Sequence, residues 1–298
     1  MSSLILTGSL CKGKSAIERI AKIQQDIRNS DDSEIKLAIT SEGRLGLTFA
    51  FLIGSLPLYA NKYGKKLTVF VSEKIYRVLH SINVLDYYKR KSNNAEYQVK
   101  FEDTQGRPAF KEINSSSEII SFVNEIKMEV PLRIKDVETK NLLTSRIAEI
   151  YLNALEHAGA SLVLGGKYFK FQKYKYCFSC YDNGIGIPTN VNKYFGSIGR
   201  DNISDADAIK WSLQKGNSTS PDRREIPRGV GLDLLRSFAV KNAGVIRICS
   251  GRCMYIMHGD GKAIKEKYLP LEYAFDGTLF EMDIISNSVK LDEGSNND

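Results

Sequence analysis

Residues that mark special environments are scarce. The 298-residue chain has one Trp, three His, seven Pro and five Cys. Five cysteines are too few and too odd in number for a disulfide-stapled fold. They are expected as reduced thiols in a cytoplasm. Met1 is followed by no basic segment and no apolar core, so no signal peptide is expected. A membrane-spanning helix needs about 20 apolar residues. The longest apolar stretch, Leu45 to Ala60, is interrupted by Thr48, Gly54, Ser55 and Pro57, so it reads as a buried core helix and no membrane association is expected. At 42% apolar residues the composition is that of a globular protein, which excludes a disordered chain.

Charge of one sign is not abundant either, but it is unevenly placed. The net charge is +7; residues 1–110 carry 17 Lys and Arg against 11 Asp and Glu, and residues 111–298 carry 25 against 24. A basic first third would suit nucleic acid or an acidic partner. No aromatic-interleaved basic stripe accompanies it, so a solvated Lys-rich surface is the favoured reading.

What is present is a β-α-β-α-β-α pattern in the first third. Leu4 to Leu6 is a short apolar run. Ile17, Ile20, Ile23 and Ile27 repeat at helical spacing between charges. Ile35–Ile39 and Leu67–Val71 read as strands, Leu47–Tyr63 and Ser72–Ile82 as helices. This order predicts an α/β layer domain over 1–110. Residues 91–140 are polar and mixed, with loops at 91–94 and 114–117 and an edge strand at 97–101. The second domain, 111–285, opens on a helix from Asn141 to Ala158. Strands follow at 161–164, 168–171 and 174–181, then a loop-rich stretch from Pro188 to Arg228. A helix at Val230–Asn242 and strands at 245–250, 253–258 and 278–284 close it. Residues 286–298 form a polar tail.

Three segments of the second domain carry chemistry. In the first, Glu149, Asn153 and His157 are four apart and share one helix face. Ile147, Ile150, Tyr151, Ala154 and Leu155 cover another face, which can pack on a sheet. In the second, Asp182-Asn183-Gly184-Ile185-Gly186 follows an apolar strand, and its glycines allow a tight turn and close backbone approach. In the third, Arg228-Gly229-Val230-Gly231 opens a helix, whose free N–H groups and dipole suit phosphate.

In this order and spacing the set resembles the GHKL superfamily of ATP-binding domains: gyrase, heat-shock chaperones of the ninety-kilodalton class, histidine kinases and MutL. The resemblance covers about 135–285. Glu149 and Asn153 match the N box, Asp182-x-Gly184-x-Gly186 the first glycine box, and Gly229-x-Gly231 the second. Gly277-Thr278 fits the closing strand. It implies a two-layer α/β sandwich, the GHKL or Bergerat ATP-binding fold, with ATP and Mg²⁺ held under a lid.

The resemblance also assigns roles. Asn153 holds Mg²⁺. Asp182 accepts from the adenine amino group and disfavours a base with a carbonyl there. Gly184 and Gly186 let the chain pass close to the nucleotide. Gly229, Val230 and Gly231 offer N–H groups to the phosphates beside Arg228. Thr278 supports the adenine contact. Residues 189–228 form the lid, with 215–219 closing on the phosphates. Glu149 is the catalytic residue, polarising a water or hydroxyl. The expected function is a slow Mg²⁺-dependent ATPase acting as a switch toward a protein partner, with homodimerisation in keeping with many family members. An anti-sigma-type Ser/Thr protein kinase would use the same residues, and a nucleic-acid-associated clamp would add the basic N-terminal part. None of His80, His157 and His258 lies in a dimerising hairpin, which argues against a sensor histidine kinase.

Two other patterns are set aside. Gly8 to Ser15 matches a phosphate loop letter for letter, yet no later strand in the first 110 residues ends in an Asp for Mg²⁺. Lys14→Ala is therefore expected to leave ATP affinity unchanged in a direct titration; a large loss would revive the phosphate loop. The same segment's layout resembles STAS regulatory modules. Cys177-x-x-Cys180 and Cys249-x-x-x-Cys253 invite zinc, but Cys177 and Cys180 would point to opposite faces of a strand, so buried thiols are expected. Trp211 is expected to pack rather than to touch ligand.

Overall fold

The computed structural model describes residues 2–10, 13–40, 45–81, 109–129, 137–170, 175–214, 216–219, 235–236, 239–240, 244–260 and 263–285. The loop at 91–94, the strand at 97–101, most of the helix at 230–242 and the tail at 286–298 lie outside these residues.

The first third alternates as its apolar spacing requires: β1 (Ser2–Leu6), α1 (Lys14–Asn29), β2 (Glu34–Ile39), α2 (Leu47–Lys62), β3 (Lys66–Val71) and α3 (Glu73–Ser81). The strands form a parallel sheet in the order β1-β2-β3. β2 shows why one face is core: Ile35, Leu37 and Ile39 are buried while Glu34 and Lys36 are exposed. On the other face Ile5, Ala38 and Phe70 share one register line, with Ile5 and Phe70 exposed. Lys14 pairs with Glu18 of its own helix at 3.4 Å.

The second sheet is antiparallel, in the order β4-β5-β6-β8-β7. Its strands are β4 (Ala109–Glu112), β5 (Val163–Lys170), β6 (Lys175–Asp182), β7 (Val245–Gly259) and β8 (Ile264–Ile285). The two short strands expected over 161–171 are one strand, because Gly165 and Gly166 do not break it. Each glycine makes room for a neighbour: a Cβ on Gly165 would meet Phe122 of the covering helix at 2.8 Å, and one on Gly166 would meet Ser179 Oγ of the paired strand at 2.7 Å.

Helices α4 (Ser116–Glu129) and α5 (Val137–His157) cover one face of this sheet. The expected loop at 114–117 is instead the cap of α4. Ser115 Oγ accepts from Glu118 N–H (3.3 Å), and the Glu118 carboxylate accepts from Asn114 N–H (2.7 Å). The expected loop-rich stretch after Pro188 contains α6 (Ile187–Ser197) and α7 (Asp205–Ser212), the latter capped by Ser204.

The other face is covered by α1 and α2, so the sandwich carries a further α/β layer. One hydrophobic cluster joins Ile20, Ile27, Phe51, Leu52 and Leu56 to Leu164, Tyr181, Phe275 and Leu279. α2 is therefore apolar nearly all round. Phe49, Phe51, Leu52, Ile53, Leu56 and Tyr59 are all buried, each stabilising by about 1.5–3 kcal/mol. The interrupted apolar stretch is a core helix because sheets lie on both sides of it. Among the described residues no helix is long and apolar enough to cross a membrane.

Candidate functional site

Helix α5 packs through Leu143, Ile147, Tyr151 and Ala154, all buried. The same turns carry Arg146, Glu149 and Asn153 to a cavity of about 1170 Å³, counting its open mouth. Asn153 is exposed. Glu149 Oε2 is held by Arg146 Nη1 at 3.0 Å. Arg146 Nε is buried and has no hydrogen-bond partner. The side chain of His157 lies outside the described residues.

Asp182 ends β6 and lies at the bottom of the cavity, 4% exposed. Its strand partner across the sheet is Thr278. Burial raises the Asp182 carboxyl to about 7, against the opposing effects of the Gly184 and Thr278 hydrogen bonds and the Lys62 charge. Gly184 N–H donates to Asp182 Oδ1 at 2.9 Å. The turn is tied down on both sides. Asn183 Oδ1 accepts from Ser161 and Leu162 N–H, each at 3.0 Å, and Ile185 N–H donates to Ala158 O at 2.9 Å.

The two glycines do different things here. A Cβ on Gly184 would lie 2.2 Å from Ala158 O, so this glycine lets the turn press against the end of α5. Gly186 lines the cavity at φ +80°, just before α6, where Pro188 suits the first helical turn.

The apolar walls come from Ile150, Ala154, Ile187, Val191, Ile248 and Phe280, and the far wall from Asn190, Asn217, Ser218 and Thr219. Asn190 Nδ2 donates to Thr219 Oγ1 at 3.2 Å, fixing that wall to α6. Trp211 packs between Tyr194 and Phe195, at 5.7 and 5.4 Å between ring centres, and also lines the cavity. The cavity thus combines an apolar slot with one buried carboxylate and a polar mouth.

Glu149, Asn153, Asp182, Gly186 and Thr278 converge on this one cavity. Gly184 stands behind it. Arg228, Gly229, Val230 and Gly231 lie outside the described residues, as does Lys215. Two contributors were not foreseen. Arg146 is one turn before Glu149, at a spacing that places ion pairs on one helix face. Ser250 donates to Gly277 O and accepts from Ile187 N–H, both at 2.9 Å, joining β7, β8 and α6. Its signal was a lone hydroxyl closing an apolar strand.

Cys180 lies on the cavity side of the sheet and Cys177 on the other, as strand alternation requires. Cys177, Glu281 and Asp283 offer ligand atoms within 4.8 Å of one another. Arg247 already bridges both carboxylates there, at 2.5 and 2.8 Å. Its fixed cation meets the charge need of the buried acids. Cys249 and Cys253 also face opposite layers, because a bulge at Ser250–Cys253 reverses the alternation.

No family model matches the chain, and no curated protein matches it. Among solved structures it is similar to the topoisomerase IV ATP-binding domain of Francisella tularensis, in complex with a small-molecule inhibitor. The identity is 13% and the TM-score 0.22, over 38% of this chain and 28% of that one.

Proposed function

We propose that the chain binds ATP with Mg²⁺ in this cavity, hydrolyses it slowly, and uses the bound nucleotide as a switch toward a protein partner. The observation that carries this reading is the convergence of Glu149, Asn153, Asp182, Gly186 and Thr278, far apart in sequence, on one cavity.

The chemistry of the lining fits the nucleotide. A flat base suits the slot between Ile150, Ala154, Ile187, Val191, Ile248 and Phe280. Asp182 accepts the hydrogen bond of an exocyclic amine and repels a carbonyl oxygen in the same position, which selects adenine over guanine. Asn153, one turn beyond Glu149, offers an amide oxygen, a hard ligand for Mg²⁺ that phosphate oxygens and water complete. Glu149 polarises an attacking water. Arg146 holds the Glu149 carboxylate in place. The glycine box at 228–231 supplies the remaining phosphate donors by its resemblance to GHKL domains. In this reading 111–285 is the nucleotide-binding unit, and the STAS-like layout of 1–110 is its regulatory part.

The test is calorimetric ATP titration with Mg²⁺, run beside phosphate release. Glu149→Ala is expected to bind ATP within about threefold of wild type and to release phosphate at least about 100-fold more slowly, the usual worth of a general base. Asn153→Ala is expected to lose Mg²⁺-dependent affinity. A wild-type protein that binds no ATP would sink the proposal. Binding without release would remove hydrolysis and leave transfer or sensing.

A further inference from the structure

We propose that the N-terminal layer sets the affinity of the nucleotide cavity through a latch. Four side chains of α1 and α2, Gln24, Arg28, Tyr59 and Lys62, grip the two turns that carry Asp182 and Thr278. The proposal rests on the ATP-binding reading and adds a regulator to it.

The grip is polar and concentrated: Gln24 and Tyr59 are buried, Arg28 and its partner Asp276 half-buried, and Lys62 reaches in from an exposed position. Lys62 Nζ donates to Asn183 O at 2.7 Å, the residue directly after Asp182. Asp276 is two residues before Thr278, and the other three side chains converge on it. Gln24 Oε1 accepts from Asp276 N–H (3.1 Å) while Gln24 Nε2 donates to Asp276 O (3.3 Å), so the amide reads the backbone like a neighbouring strand. Arg28 Nη1 reaches Asp276 Oδ2 at 2.5 Å, and the Tyr59 hydroxyl donates to the same carboxylate. Gln24 Nε2 also lies 3.2 Å from the Tyr181 hydroxyl, on the residue before Asp182.

Apolar packing of α1 and α2 on the sheet does not need these contacts. Ile20, Ile27, Phe51 and Leu56 already provide it. The polar side chains add registry. Gln24 and Tyr59 are buried, so each must keep its partner or leave a polar group unpaired. Asp276 therefore moves with α1 and α2, and Asn183 moves with α2.

Between these points there is no slack. A Cβ on Gly277 would lie 1.9 Å from Asp182 O, so the β8 corner and the Asp182 strand are in direct backbone contact. A shift of Asp276 is passed to Asp182, and one of Asn183 to the Asp182–Gly184 turn. The Lys62 charge also favours the ionised, accepting form of Asp182. Linkage makes the effect reciprocal: whatever displaces α1 and α2 weakens nucleotide binding, and nucleotide binding stiffens α1 and α2.

Lys62→Met and Lys62→Arg separate positioning from folding. Displacement of a fluorescent ATP analogue by ATP and by ADP is measured for each, with thermal melts alongside. Lys62→Met is expected to weaken ATP and ADP alike by about tenfold, as for loss of a charge-assisted hydrogen bond. The ATP-to-ADP ratio stays fixed because the latch acts at the base end. Lys62→Arg restores affinity to within about threefold. Arg28→Met, at a side chain about one-third exposed, is the second variant if Lys62→Met folds poorly, and a loss of about threefold is expected. In the wild type, ATP slows amide exchange at 59–65 and 275–278.

Lys62→Met binding like wild type would overturn the latch, as would failure of Lys62→Arg to rescue or unchanged exchange in α2 with ATP bound. A wild type that binds neither nucleotide removes the ATP reading and the latch together; normal binding with unaffected variants removes the latch alone.

Discussion

Asp182→Asn is expected to abolish adenine-nucleotide binding and, at alkaline pH, to stabilise the fold. The two effects have one source. Burial lifts the Asp182 carboxyl from its ordinary 3.8 to about 7 in the folded chain. Between those values the folded state holds a proton that the unfolded state has lost. Stability therefore falls as pH rises from about 4 to about 7, and the full cost is present above 7. At about 1.4 kcal/mol per pH unit that cost is about 4 kcal/mol. Asn does not titrate and so escapes it. Asn also has one acceptor oxygen where the carboxylate has two, and Gly184 and Thr278 both donate there; one unmet donor costs about 1–2 kcal/mol. The net expectation is a gain of about 2 kcal/mol at pH 8 and none at pH 5. Urea melts across that range would show the difference growing with pH; a flat difference would mean that Asp182 does not titrate there.

Binding moves the other way. The ionised carboxylate is the better acceptor for an exocyclic amine. Wild-type ATP affinity is therefore expected to be about tenfold weaker at pH 6 than at pH 8. Asp182→Asn presents an amide N–H₂ toward part of the base edge and should lose at least about 100-fold, with no pH dependence left between 6 and 8. A group kept at a cost to stability and needed for ligand is what a binding site predicts. Normal ATP binding by Asp182→Asn would remove this residue from the site.

Much of this was legible in the residues, because local spacing carries it. The isoleucines of α1 and the alternation of β2 mark their elements to within two residues. Glu149 and Asn153 on one helix face, and Asp182 at a strand end, declare themselves by period and position. What failed to show was governed by context. α4 hid in a polar stretch whose useful sign was Ser115-x-x-Glu118. α6 read as loop because Asn190, Asn192 and Gly196 dilute its apolar face, and α7 because Asp205, Asp207 and Lys210 interrupt its own, although Val191, Phe195, Ala208 and Ile209 are buried. β8 begins at Ile264 and runs through Pro270, whereas the sequence pattern predicts a strand only over 278–284. The packing of the first third against the second sheet could not be read at all. Its key contacts join Gln24 to Asp276 and Lys62 to Asn183, and no periodicity links residues that distant.

The same corner yields the largest stability effect. Gly277→Ala is expected to remove at least about 4 kcal/mol, a large share of the roughly 5–15 kcal/mol that holds a domain folded. Two costs combine. Gly277 has φ +90°, a region in which an L side chain is strained. The new Cβ would also stand 1.9 Å from Asp182 O and 3.1 Å from Asn183 Cα. Those are backbone atoms of β6 and its turn, so no side-chain rotation relieves the clash. Moving β8 away would pull Gly277 O from Ser250 Oγ and separate Thr278 from Asp182. Gly64 is the control: it has φ +67° and nothing within 4 Å of a new Cβ. Gly64→Ala carries strain without collision, and a loss of about 1 kcal/mol is expected. Urea unfolding of the two variants isolates the collision. If Gly277→Ala loses no more than Gly64→Ala, the close contact between the β8 corner and the Asp182 strand is not a feature of the fold, and Asp276 has no direct path to Asp182.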